Sequence, residues 1–342
     1  MSEKIRVAVD AMGGDFAPAE IVKGALMAAR ETAVTPILVG DETKIKNELG
    51  GQEIPPGIEI VHTSEYISME DSPSAAVKKK KNASMAVAAR LVKEGKADAL
   101  VSAGNTGALM EVALLTFGRI HGIKRPAIAT VWPVKTGRAM LLDAGANAEC
   151  RPEHLLQFAI MGSIYCEKVL DIANPRVGLI NIGEESGKGN SLTVHSYQLL
   201  KGSNLNFYGN VEVQEFINGV VDVAVCDGFV GNIVLKTAEG VAALITQILK
   251  DSIPKTFMRK IGGLLLKPVF RELKHKLDSS EYGGALLLGL RGICIKSHGR
   301  ANAKAIKNAI RVAEKAVESR FIEKIKENFE NFSATSKPET RP

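Results

Sequence analysis

The stretch ADALVSAGNTGALMEVALLTFG, residues 97–118, holds the step from which the rest of the chain can be read. Its first part, ALVS at 99–102, has the length of a strand and is too uniformly apolar to keep one face in water. Gly104 and Asn105 break the run, and from Thr106 a longer, helix-forming segment follows. A strand buried on both faces, a tight polar loop and a helix make half of a β-α-β unit.

The same step recurs on both sides. IRVAVD (5–10) reads as a strand, and PAEIVKGALMAARE (18–31) reads as a helix whose Pro18 and Glu20 suit a first turn. Further strands read at TPILVG (35–40), IEIVHT (58–63), AIATVWP (127–133), RAMLLDAG (138–145), RVGLINIG (176–183), VDVAVCDG (221–228) and GICIKSHG (292–299). Most are apolar nearly throughout, so the pattern predicts an α/β fold: a three-layer α/β/α sandwich around a parallel sheet. The chain has 342 residues and is 45% hydrophobic, which suits one large domain over 1–332. The polar, proline-containing SATSKPETRP at 333–342 reads as a disordered tail.

Several classes of function are disfavoured. The start MSEKIRVAVDAMGG lacks an apolar signal region, and no uncharged apolar run of about 18 residues occurs, so neither secretion nor membrane spanning is expected. Cys150, Cys166, Cys226 and Cys294 are far apart, with no C-x-x-C pair and no histidine at zinc-ligand spacing. Reduced, buried thiols are expected, and no metal or cofactor. The run Lys78–Lys81 reads as a solvated face. A nucleic-acid-binding module would rest on the net charge of +6 alone, without aromatic residues interleaved among the basic ones, and ranks last.

VGLINIGEESGKGNSL (177–192) invites comparison with a P-loop and fails it. Gly183 and Gly187 are separated by three residues where four are needed, and Gly189 stands where the magnesium-binding hydroxyl should follow Lys188. What survives is a glycine-rich loop with one lysine, able to hold an anion smaller than a nucleotide.

Loops of this kind close several strands: VDAMGGDFAP (9–18), SAGNTGAL (102–109), LDAGANAECRP (142–152), NIGEESGKGN (181–190), CDGFVGN (226–232) and KSHGRAN (296–302). Glycine lets amides approach a ligand, and Asn, Thr, Ser and Lys supply donors. The candidate substrate contacts are Asp10, Gly13, Gly14, Asp15, Gly104, Thr106, Gly107, Asp143, Asn147, Gly183, Gly187, Gly189, Asn190 and His298. Any one such loop is explained as well by turn and cap chemistry. Six of them on one carboxyl edge of a sheet would point to an anion site.

The motifs VAVDAMGGDFAP (7–18), VSAGNTGALM (101–110), RPAIA (125–129), LLDAGAN (141–147), GLINIGEESGKGN (178–190) and DGFVGNIVLKTAEG (227–240), in that order, resemble the bacterial phosphate acyltransferases of phospholipid synthesis. The resemblance covers nearly the whole chain. It implies a fold similar to isocitrate and isopropylmalate dehydrogenases and phosphotransacetylases, a homodimer, and reversible formation of acyl phosphate from fatty acyl-acyl carrier protein and inorganic phosphate. No G-x-S-x-G elbow or Cys–His pair is present to carry an acyl group, and none is needed, since phosphate is itself a nucleophile. On this reading Lys188 holds phosphate or the developing charge, and Asn105 and Thr106 donate to phosphate or to the thioester oxygen. Asp15, Asp227 and Asn232 would orient them. A short-chain phosphotransacylase using coenzyme A and a nicotinamide-dependent dehydrogenase of the related fold are the alternatives.

One segment stands outside the strand–helix rhythm. Residues 250–277 contain eight basic and two acidic residues, a net charge equal to that of the whole chain. Phe257, Ile261 and Leu265, then Phe270, Leu273 and Leu277, follow helical spacing, and Gly262, Gly263 and Pro268 should divide the segment into two short helices. Three adjacent leucines, Leu264, Leu265 and Leu266, cannot all hide on one helix face. A protruding amphipathic pair within 250–280 is therefore expected to touch an anionic membrane. The family resemblance implies loose membrane association, with a membrane-bound glycerol-3-phosphate acyltransferase as the other expected contact and the cytoplasm, at the inner face of the cell membrane, as the location. The competing reading is a dimer or core contact.

Overall fold

Strands that are apolar throughout become the interior of the sheet. In the computed structural model, which describes residues 4–50, 56–277 and 279–335, the strands are β1 (Arg6–Asp10), β2 (Thr35–Gly40), β3 (Glu59–His62), β4 (Ala99–Ser102), β5 (Ala127–Val134), β6 (Gly137–Leu142), β7 (Val177–Ile180), β8 (Phe207–Val211), β9 (Val223–Val225), β10 (Ala285–Leu288) and β11 (Ile293–Lys296). They form a sheet in the order β3-β2-β1-β4-β11-β10-β5-β6-β9-β7-β8. Side chains alternate between its faces. Val7 and Val9 of β1 enter one core, with helices Ala19–Glu31, Pro152–Val169 and Ala303–Glu318, while Ala8 enters the other, with helices Ser84–Lys93 and Thr106–Phe117. A smaller third cluster lies under the far half of the sheet, where Trp132 meets Phe216 edge-on at 6.1 Å.

The sheet is mixed, and this corrects the expectation of parallel strands. β10 is antiparallel to both β11 and β5, and β5 is antiparallel to β6. β3, β2, β1, β4 and β11 therefore run one way, and β6, β9, β7 and β8 run the other. β8 and β10 are additions to the strands read from sequence.

Register shows how the two halves meet. Val101, Ile295, Leu286, Ala129, Leu142 and Val225 share one row across the sheet. Both halves end within about a residue of that row and leave it in opposite directions. Exits of β11 and β6 are three strand spacings apart, about 14 Å, and two rows apart along the strands, about 7 Å.

Helix Gly228–Ser252 starts at the exit of β9 and crosses toward the other half: Leu235 packs against the core shared with Ala108, Leu109 and Ala144. With the short turn that follows, it is long and apolar enough to cross a bilayer by length and composition. Its first turns, however, are built into the fold, and Lys236 and Glu239 interrupt its apolar run. The expected pair follows as helices Phe257–Leu265 and Lys267–Leu277, and the break at Leu266 lies within the expected bend 261–269, between the glycines and Pro268. Gly263 lies within the first helix, and a β-carbon there would meet Ile253 at 2.5 Å, so the glycine serves close packing. The expected tail begins inside helix Phe321–Thr335, and residues 336–342 lie outside the described residues.

Candidate active site

One group of loops rises from β1, β4 and β11. Asp10 closes β1, buried, and its carboxylate accepts hydrogen bonds from Ser84 Oγ (2.6 Å), Ser102 Oγ (2.7 Å) and the Met12 amide (3.3 Å). Lys296 closes β11, also buried, and its Nζ donates to the Ala103 carbonyl at 3.3 Å and to the Ser297 carbonyl. Burial raises the pKa of Asp10, against those donors and the Lys296 charge. Burial lowers that of Lys296 to about 8, with Asp10 opposing. Sequence reasoning missed Lys296, Ser84 and Ser102; the visible signal was a lysine ending the apolar run ICIK.

Above this pair the loops are tied to one another. The Asp15 amide donates to the Gly299 carbonyl at 2.8 Å, Arg300 Nε lies 3.7 Å from Asp15 Oδ2, and His298 Nδ1 accepts from the Arg300 amide at 3.1 Å. The pKa of His298 is lowered, first by burial, with Lys236 contributing and Glu239 opposing. Asn105 caps helix Thr106–Phe117 by accepting from the Ala108 amide at 3.1 Å, and its Nδ2 donates to the Met69 and Asp71 carbonyls. Its side chain is thus spent on the fold, contrary to the expected role as a free donor. The exposed helix start at Thr106 and Gly107 retains the unpaired N–H groups of any first turn.

The second group leaves β6, β9 and β7, which are neighbours in the sheet. Asp143, wholly buried, gathers a loop around itself. Oδ1 accepts from the amides of Ile128 (2.9 Å), Gly145 (3.2 Å) and Ala146 (3.0 Å), and Oδ2 accepts from the Asn147 amide and Asn147 Nδ2, both at 2.8 Å. Burial pushes its pKa up, against the amides of Ala146, Ile128 and Asn147 and the Asn147 side chain. Asp227 caps helix Gly228–Ser252 through the Val230 amide at 2.9 Å. At Gly231 a β-carbon would strike the Asp143 carbonyl, and at Gly228 it would lie 2.7 Å from the Asn147 amide nitrogen, so only glycine lets this helix start rest on the 143–147 loop. Exposed Asn232 lies over Gly145.

The neighbouring loop 181–190 is stitched from below. Asn181 Nδ2 donates to the Lys188 carbonyl (2.9 Å), and Asn210 Nδ2 donates to the Glu185 carbonyl (2.7 Å). Gly183 folds against the Lys188 stem, Gly187 has open space around it, and Gly189 takes a φ of +98°. Asn190 caps helix Ser191–Lys201. Lys188 itself projects into solvent with no carboxylate partner among the described residues.

The candidates therefore form two groups that leave the sheet in opposite directions, instead of six loops on one edge. Asp10 and Asp143, expected at the substrate, lie beneath their loops and bond to the chain itself. Gly13, Gly14, Asp15, Gly104, Asn105, Thr106, Gly107 and His298 belong to the first group, and Asn147, Gly183, Lys188, Asp227 and Asn232 belong to the second. Six strand spacings, about 29 Å, separate the exits of β4 and β7, the strands that lead to Thr106 and Lys188. The connecting element is helix Gly228–Ser252, with Asn232 at one group and Lys236 near Lys296 at the other.

Comparison with known proteins fixes the family. A model of the family described as fatty acid synthesis protein matches residues 5–324. The phosphate acyltransferase of Desulfitobacterium hafniense (strain DSM 10664 / DCB-2) is 54% identical over 331 residues, covering 96% of this chain and 99% of that protein. That of Pelotomaculum thermopropionicum is 52% identical over 327 residues, covering 96% of each. In fold, the chain is similar to a phosphotransacetylase from Streptococcus pyogenes (TM-score 0.62, 17% identity, 93% of this chain and 95% of that one). It is also similar to a 4-hydroxythreonine-4-phosphate dehydrogenase from Klebsiella pneumoniae (TM-score 0.52, 14% identity, 92% and 100%). With two curated relatives above half identity along nearly their full length, the chain belongs to the phosphate acyltransferase family.

Proposed function

We propose that the protein forms acyl phosphate by attack of inorganic phosphate on the thioester of a fatty acyl-acyl carrier protein, at the edge formed by β6, β9 and β7. A phosphate oxygen bonds to the acyl carbon, the carbon–sulfur bond breaks, and the proton of hydrogen phosphate ends on the departing thiolate. The observation that carries this reading is the state of the nearest thiols. Burial, with Asp143 and Asp227 adding to it, pushes Cys150 up to about 12, and burial also raises Cys226 well above the ordinary thiol range. Neither is a ready thiolate nucleophile at neutral pH, which supports direct attack by phosphate. Lys188 and the N-terminus of helix Gly228–Ser252 supply positive potential for the dianion and for the oxyanion of the tetrahedral intermediate, and Asn232 supplies a neutral donor.

The same reading includes a homodimer and a membrane contact. Val241, Leu244, Ile245 and Ile248 leave an apolar face of helix Gly228–Ser252 uncovered, which suits a second copy of the chain. The exposed tip around Leu264, Leu265 and Leu266 suits an anionic membrane or a membrane-bound glycerol-3-phosphate acyltransferase, and this would hold the cytoplasmic protein at the inner face of the cell membrane. Palmitoyl-carrier protein and phosphate, incubated with the protein, should yield acyl phosphate that hydroxylamine traps. Folded protein that gives none with an active donor would refute the reaction.

A further inference from the structure

A cavity of ≈ 560 Å³ opens beside the β6 exit. Arg119, Lys124, Arg125 and Arg151 line it, with Leu114 and Pro126 as its apolar wall and His154 at its base. The cations come from three places that the fold brings together: the end of helix Thr106–Phe117, the segment leading into β5, and the cap of helix Pro152–Val169.

Two of these charges are already occupied. Arg119 Nη1 donates to the Lys124 carbonyl, and Lys124 Nζ pairs with Glu153 at 3.1 Å. Arg125 and Arg151 have no side-chain hydrogen bond or ion pair to protein among the described residues. Their convergence is felt by His154, whose pKa is lowered by burial first and then by Arg125, Lys124 and Arg151 against the pull of Glu153. His154 Nδ1 accepts from the Arg151 amide at 3.1 Å, so the ring anchors the loop that carries one of the two arginines.

The cavity touches the proposed reaction edge. Asn147 Nδ2 donates both to the Pro126 carbonyl and to Asp143 at 2.8 Å, and Arg125 acts electrostatically on Cys150, beside Asp227. Paired guanidinium groups recognise the oxygens of a phosphate. The volume corresponds to about 19 liquid-water volumes, far more than the five heavy atoms of a free phosphate require. Together with the apolar wall, this favours a phosphate carried on an organic arm.

We infer that this pocket binds the phosphate ester of the phosphopantetheine arm of the acyl donor, with Arg125 and Arg151 as specificity-determining residues. The inference rests on the thioester donor proposed above. Phosphopantetheine occurs both on carrier protein and within coenzyme A, and the pocket reads the chemistry they share.

The test uses the whole protein with acyl-carrier protein, acyl-coenzyme A, acyl-phosphopantetheine and acyl-pantetheine as donors. The variant Arg125→Gln/Arg151→Gln should raise the KM of every phosphate-bearing donor about ten-fold or more, and leave the KM of inorganic phosphate and kcat nearly unchanged. Acyl-pantetheine, lacking the ester, should respond little. A rise confined to carrier protein would assign the arginines to that protein's acidic surface, a rise confined to coenzyme A would assign them to its nucleotide phosphates, and either would overturn the inference. An increase in the KM of inorganic phosphate instead, or unchanged discrimination between phosphopantetheine and pantetheine donors, would overturn the inference. Calorimetry gives a check without turnover and without a variant: the parent should bind phosphopantetheine and not pantetheine, and equal binding would overturn the inference. Binding that depends on the arginines in a protein that makes no acyl phosphate would refute the reaction and leave the pocket standing.

Discussion

At the scale of single residues, the chain buries an acid and a base, Asp10 and Lys296, away from water. Lys296 binds only carbonyls, and Asp10 is held by two hydroxyls and one amide, so each also depends on the other's field. Removing one partner of such a pair strands the other. Lys296→Met should therefore destabilise the fold, and most of the cost should appear at higher pH. With the lysine gone, the already raised Asp10 holds a proton in the folded state that it loses in the unfolded one. The folded state then binds more protons, and stability falls as pH rises above the ordinary carboxylate range. Melting curves between pH 5 and 8 should show that slope in Lys296→Met, while Asp10→Asn with Lys296→Met should flatten it and recover stability. A flat profile in the single variant would mean that Asp10 does not depend on Lys296. Nothing in the strand pattern announced the pair, because Asp10 reads as turn chemistry and Lys296 as the end of a strand.

Among elements, the start of helix Gly228–Ser252 carries the tightest constraint. Its first turn sits on the Asp143 carbonyl, and the obstacle at Gly231 is backbone, which has no rotamer to change. Gly231→Ala should cost about 1–3 kcal/mol and move Asn232 off Gly145. Turnover should fall well beyond what the remaining folded fraction explains, as acyl phosphate assays at matched folded concentration would reveal; activity in proportion to folded protein would show that the helix start is only structural. The glycines of CDGFVGN were visible in the sequence as an anion loop, but the packing reason for them was not. Other elements were readable and misjudged. AIATVWP and RAMLLDAG are separated by four residues, and Leu288 and Ile293 by four more, too few for a crossover between parallel strands. Those linkers predict antiparallel pairs, as found, whereas burial on both faces looks the same for either direction. ALLL at 285–288 escaped notice because leucine and alanine favour helices, and FYGNV at 207–211 because its polar residues suit an edge.

For the whole molecule, charge and apolar exposure concentrate at one end. Leu264 and Leu265 are 69% and 74% exposed, Phe257 and Met258 76% each, and Lys255, Arg259, Lys267 and Arg271 stand exposed among them. The helical periodicity and the charge excess were legible in the sequence, because each depends only on residue order. Which partner covers the segment was not, since a second copy, lipid and a membrane protein all accept an apolar face with a basic rim. Lipid makes a distinct demand. Each basic residue near an anionic surface contributes roughly 1 kcal/mol, and salt screens that attraction within about 10 Å at 0.1 M. The protein should therefore sediment with vesicles of anionic lipid, fail to sediment with neutral ones, and come off in high salt. Leu264→Glu with Leu266→Glu should abolish sedimentation while acyl phosphate formation from soluble donor persists, because both side chains lie well away from the β6, β9 and β7 exits in sequence and point into solvent. A double variant that instead becomes monomeric, from a parent that never sediments with vesicles, would assign the leucines to the homodimer and remove the membrane contact.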